Sequence, residues 1–69
     1  MSSVYKIIEL VGTSEKSWED AANKVVETAS KSLQDLRIAE VKEMDIKLDE
    51  GKPVYRVRVH LSFKYRGEG

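Results

Sequence analysis

The stretch "VYRVRVHLSFKY", residues 54–65, alternates without interruption. Tyr55, Val57, Val59, Leu61, Phe63 and Tyr65 share one side, and Arg56, Arg58, His60, Ser62 and Lys64 share the other. Alternation at period two sends successive side chains to opposite faces of a strand, so this segment offers one face to a core and one to water. Such a strand needs a partner along its edge and a cover over its apolar face. The rest of the chain is read for both.

The partner lies just upstream. "IAEVKEMDIKL", residues 38–48, also runs at period two, with Ile38, Glu40, Lys42, Met44, Ile46 and Leu48 predicted on one face. Ala39, Val41, Glu43, Asp45 and Lys47 are predicted on the other. "DEGKP" between the two segments reads as a hairpin turn with Gly51 at its tip. Residues 4–11, "VYKIIELV", are β-branched and aromatic and form a further predicted strand, followed by a polar turn "GTSEKS".

The cover is a helix predicted over "WEDAANKVVETASKSLQDL", residues 18–36. Ser17 with Asp20 gives an N-terminal capping pattern, and Glu19 and Asp20 suit the positive end of the helix dipole. Trp18, Ala21, Ala22, Val25, Val26, Ala29, Leu33 and Leu36 recur at helical spacing and make one buried stripe. The small alanines let the helix lie close against a sheet. The order is strand, helix, strand, strand in one α+β domain over residues 1–69, with "RGEG" expected as a frayed tail.

One helix of about five turns cannot cover strands of ten or more residues. Edges and an open face remain, and a soluble chain normally pairs or covers them. The chain has 69 residues and no cysteine, so no disulfide or thiolate site can hold it together. A domain of this size buries only about 60% of its unfolded surface. Association between copies is the expected source of the missing stability.

Charge excludes some partners. The 12 Lys and Arg balance the 12 Asp and Glu, which argues against nucleic acid or a membrane surface. No apolar run reaches the length of a bilayer span, and "MSSVYKIIELVG" lacks the order of a secretory signal, so the expected location is cytoplasmic.

Catalytic chemistry is poorly supplied, and the chain is read as a binding or assembly protein rather than an enzyme. His60 stands on the polar face of its strand with no evident nucleophile, and Ser17 is explained as a cap. The row Arg56, Arg58, His60 and Lys64 suits either phosphate or ion pairs with Glu40 and Glu43 across the hairpin. Trp18 suits either a ligand ring or the core. Glu43 and Asp45 are two apart on a strand and point the same way. Their oxygens suit Ca²⁺ or Mg²⁺, but Ca²⁺ takes six to eight oxygens, so another segment or chain must contribute.

The segment "VYKIIELVGTSEKSWEDAANKVVETASKSLQDLR" with "AEV", and the ending "YRVRVHLSFKY", resemble the dodecins from Val4 to Tyr65. The resemblance implies a three-stranded antiparallel sheet partly wrapped around one helix, in the order β-α-β-β. It also implies a hollow homododecamer that stores or sequesters FMN or riboflavin without catalysis. In that family, flavin rings stack on tryptophan, and a glutamine on the last strand meets the ring edge. By resemblance those positions are Ile38 and Arg56 here, and Lys64 matches a basic position near the ligand phosphate. Stacking is worth roughly 1–3 kcal/mol, and arginine only donates where a flavin edge shows both N–H and C=O. "LRIA", "KEMD" and "SFK" resemble the tryptophan-lacking calcium dodecins more closely. That likeness implies a metal site using Glu43, with Asp45 or Glu15, in which symmetry supplies further oxygens. The alternatives are thus a flavin-storing shell, and a Ca²⁺- or Mg²⁺-binding or purely structural dodecamer without flavin.

Overall fold

The computed structural model describes residues 3–65. The tail predicted to fray lies outside them. The elements are β1 (Tyr5–Ser14), α1 (Trp18–Ser30), β2 (Leu36–Asp49) and β3 (Lys52–Lys64). The sheet runs β1-β3-β2 with both pairings antiparallel. The alternating segment 54–65 therefore supplies the central strand. Its alternate residues Val57, Val59 and Leu61 are each 1% exposed and meet Ala21, Val25 and Ala29 of α1. Ile8, Leu10, Trp18, Ala22, Val26, Leu33 and Leu36 close around this core.

The helix starts where its cap predicts. The Asp20 N–H donates to Ser17 Oγ at 3.0 Å, and the Ala21 N–H donates to the Ser17 carbonyl at 3.1 Å. It ends earlier than predicted, after 13 residues at Ser30 rather than at Leu36. Ser30 Oγ donates back to the Val26 carbonyl at 2.8 Å, and the Ser32 and Leu33 N–H groups both reach the Ala29 carbonyl. This closes the last turn tightly, and Asp35 at φ 59° swings the chain into β2. Leu33 and Leu36 still pack on the core from outside the helix. That is why they keep a helical spacing in the sequence.

The helix seats on β1 at Gly12. A Cβ there would lie 2.6 Å from the Ala21 carbonyl oxygen, so only glycine allows this approach. β1 continues to Ser14, past the point where the polar turn was predicted. Ser14 is buried; its Oγ donates to Asp20 Oδ2 at 2.6 Å and accepts from the Lys16 N–H at 2.9 Å. The Ser14 hydroxyl, aided by Lys24 at 3.4 Å, holds the Asp20 carboxyl below its ordinary pKa.

The hairpin turn is two residues long, with Glu50 at φ 54° and Gly51 at φ 81°. Two positive φ values in a row mark the turn type whose twist matches paired strands. The predicted faces of β2 need a correction. Val41 pairs with Val59, but Glu43 rather than Lys42 pairs with Arg58. The bulge at Lys42 flips the phase of everything after it. Met44, Ile46 and Leu48 thus join Ala39 and Val41 on the helix side, while Glu43 and Asp45 share the open side with Ile38 and Glu40.

The hairpin projects well beyond the helix. The chain measures 51 × 20 × 17 Å with a radius of gyration of 14.1 Å. A compact chain of this length would have about 11 Å. Among the described residues, no helix is long and apolar enough to cross a membrane.

Candidate functional site

The face turned away from α1 is a three-strand lattice of charge. Its centre is set by register. Glu9 of β1 and Glu40 of β2 both pair with His60, Val11 and Glu43 with Arg58, and Thr13 and Asp45 with Arg56. Directly opposed side chains share a face and stand about 5 Å apart, close enough for long polar chains to bond.

Asp45 and Arg56 form a two-pronged pair. Arg56 Nε donates to Asp45 Oδ1 at 2.7 Å and Nη2 donates to Oδ2 at 2.8 Å. The pair holds the Asp45 carboxyl below its ordinary pKa and raises that of Arg56, the shared hydrogen bond being the main cause of each. Arg58 donates through Nη1 to Glu43 Oε1, and its Nε lies 3.7 Å from Glu9 Oε2. The same Glu9 oxygen lies 2.9 Å from His60 Nε2. Glu40 lies 3.7 Å from Lys42.

Of the two roles read for the cationic row, the structure places Arg56 and Arg58 in ion pairs and His60 within hydrogen-bond distance of Glu9. Glu43 is a partner as expected, and Asp45, rather than Glu40, takes Arg56. Glu9 joins the network although the sequence reading passed over it. Its signal was an acid flanked by Ile7, Ile8, Leu10 and Val11 at an outward position of a mostly apolar strand.

The other predicted residues are spread out. Ile38 pairs with Ser62 and is 65% exposed. It lines a shallow cavity of about 140 Å³ with Ile7, Glu40, His60 and Ser62. Lys64 lies at the same end of β3, but Arg56 is six positions along from Ser62, ~20 Å away at strand rise. One chain therefore does not bring Ile38 and Arg56 together. Glu15 lines a separate cleft with Lys16, Lys24 and Asp49, apart from Glu43 and Asp45. Trp18 is half-buried on the helix side. Its Nε1 donates to the Asp45 carbonyl at 3.0 Å, and its ring meets Tyr55 edge-on at 5.2 Å. It is a clamp between helix and hairpin. Among the described residues, no group of three or more His, Asp or Glu is placed to hold a metal ion.

Comparison with known proteins adds to this geometry. The family model described as Dodecin matches residues 4–66. The calcium dodecin of Mycobacterium tuberculosis is 48% identical over 65 residues, covering 93% of this chain and 92% of that one. The dodecin of Thermus thermophilus is 40% identical over 65 residues, covering 93% and 94%. A crystal structure of the M. tuberculosis protein, a calcium-chelating antigen with a novel calcium-binding site, superimposes with a TM-score of 0.86 at 46% identity and covers 97% of both chains.

Proposed function

The chain belongs to the dodecin family, and on that premise we propose that it forms a non-catalytic homododecameric shell that binds Ca²⁺ through Glu43 and Asp45 and holds flavin only weakly. Dodecins are binding or storage proteins that assemble as dodecamers. The observation that carries the choice of ligand is the Asp45–Arg56 pair. At the position where the family resemblance places a flavin-reading glutamine stands an arginine with two donors already spent on Asp45. It offers no acceptor to a flavin N–H, and leaving that group unmet costs about 1–3 kcal/mol. With aliphatic Ile38 in place of an aromatic platform, about 2–5 kcal/mol is missing, or roughly 30-fold to several thousand-fold in affinity.

The same face is suited to a hard cation. Glu43 and Asp45 share one surface by their spacing, and the bulge at Lys42 turns that surface to the open face. Carboxylate oxygens are the ligands Ca²⁺ and Mg²⁺ prefer, and the M. tuberculosis relative is a calcium dodecin. Two carboxylates give at most four oxygens, so the residues fit the ion in kind and fall short in number. Oxygens from outside the chain, such as those of other copies around a symmetry axis, complete the set.

Calorimetric titration with CaCl₂ of the wild type and Glu43→Gln tests this reading. Heat of binding in the wild type and its loss or weakening in the variant are expected. No heat in either protein removes the calcium reading.

A flavin store is the second reading, favoured by the cavity beside Ile38. FMN titrated into the wild type should bind weakly and stay fluorescent. Ile38→Trp with Arg56→Gln should bind and quench it, with each single change recovering part. Tight, quenched binding by the wild type would reverse the order of the two readings.

A further inference from the structure

The bulge at Lys42 adds one residue to β2, and an added residue bends and twists a strand. Everything from Glu43 to the turn is carried on that bend. From Lys42 to Asp49 the strand runs on for seven residues, ~23 Å at strand rise. A bend wrong by about 10° carries the turn ~4 Å sideways. Apolar side chains lose contact beyond about 4.5 Å, so a shift of that size undoes an interface.

Trp18 reaches across to this arm. It is the first residue of α1, directly after the Ser17 cap, and the same turn is tied to β1 by the bond from buried Ser14 to Asp20. The base of the indole is therefore fixed to the body of the chain. Its tip is fixed to the arm: Nε1 donates to the Asp45 carbonyl at 3.0 Å, and the ring meets Tyr55 edge-on at 5.2 Å and 76°. Asp45 pairs with Arg56 and Ile46 with Tyr55, so one side chain holds both strands of the hairpin just past the bulge. Among the described residues it makes the only hydrogen bond between α1 and β2. Copies in a closed shell meet through repeated contacts, which close only at the right rotation. Resting on the assembly read above, we propose that Trp18 is a positioning residue for assembly: it fixes the bend at Lys42 and so aims the hairpin arm, with Met44, Ile46 and Leu48, at the next copy of the chain. If the bulge alone set the bend, loss of the indole would weaken the core of each chain without redirecting the arm.

The test joins light scattering over a dilution series with amide hydrogen exchange, for the wild type, Trp18→Phe and Val25→Ala. Phenylalanine keeps a ring beside Tyr55 and removes the donor. Val25 lies in the core beneath α1, so its truncation lowers stability and leaves the clamp in place. Trp18→Phe should keep the far-ultraviolet dichroism of the wild type and leave exchange in α1 unchanged. Its amides in residues 43–56 should exchange about tenfold faster, and its shell should dissociate at about tenfold higher concentration. Val25→Ala should speed exchange across the core while dissociating at the wild-type concentration. Tyr55→Leu loosens the ring contact and leaves the bond. It should move both readings as Trp18→Phe does, but less, and it decides the question if Trp18→Phe fails to fold. Arm exchange and mass equal to the wild type in Trp18→Phe overturn the proposal. So does a rise in exchange spread over the core as in Val25→Ala, which would make the indole part of the core and no more. A wild type that scatters as a single chain removes the assembly reading and the proposal with it, whereas an assembled wild type with unaffected variants removes the proposal alone.

Discussion

Asp45 joins three elements through two different groups. Its carboxylate binds Arg56 on the open face, while its carbonyl accepts from the Trp18 indole on the helix side. The first bond depends on charge and the second does not, so pH separates them. The folded-state pKa of Asp45 is lowered by Arg56. The sign follows: this contribution to stability is complete above the unfolded-state value near 4 and is lost as pH falls through the folded value. Asp45→Asn should keep the indole bond and flatten the acid limb. Thermal melts at pH 7 and pH 3 should show a smaller drop for the variant than for the wild type. Asp20 titrates in the same direction through Ser14 and remains in both proteins, so a residual slope is expected. An equal drop in both would mean that the Arg56 bond contributes nothing to folding. Arg56 itself was legible in the sequence as an outward cation on β3. Its partner was not, because that depends on the phase of β2, and one bulged residue reverses the phase.

At the level of elements, the parts of the fold encoded locally were the readable ones. The Ser17 cap, the Gly51 turn and the alternation of β3 each lie within a few residues, and the structure keeps all three. The end of α1 was misplaced because Leu33 and Leu36 serve the same core after the helix has stopped. The extension of β1 to Ser14 was hidden because its polar residues pair with β3, far along the chain. Gly12 has the same character. Nothing near it in sequence requires glycine, but the Ala21 carbonyl above it does. Gly12→Ala must push α1 off the sheet. Overpacking of this kind costs typically about 1–3 kcal/mol, which urea denaturation at neutral pH should report. A variant as stable as the wild type would show that the helix can shift at no cost and that the close seat is incidental.

For the whole molecule, the question is what covers the hairpin. The bulge collects Val41, Met44, Ile46 and Leu48 on the helix side of β2, most of which α1 leaves uncovered, and they are 45%, 58%, 46% and 71% exposed in the single chain. Contiguous apolar surface of this kind is rare on monomers. Among the described residues, no further element is left to lay over it. In the dodecameric shell proposed above, another copy is the expected cover. Light scattering of the wild type should accordingly give the mass of a dodecamer. Leu48 separates assembly from folding, since its side chain is mostly open before association and contributes little to the fold of one chain. Leu48→Glu should therefore leave the far-ultraviolet dichroism of the folded chain intact at low temperature. At micromolar concentration it should shift the scattering mass well below that of the wild type. Putting a carboxylate into an apolar interface without a partner costs several kcal/mol at each symmetry-related contact, and the closed shell repeats that cost at every copy. A variant that keeps the full mass and melts as the wild type does would show that the end of the hairpin stays in water, and the cover would then have to be sought on the open face.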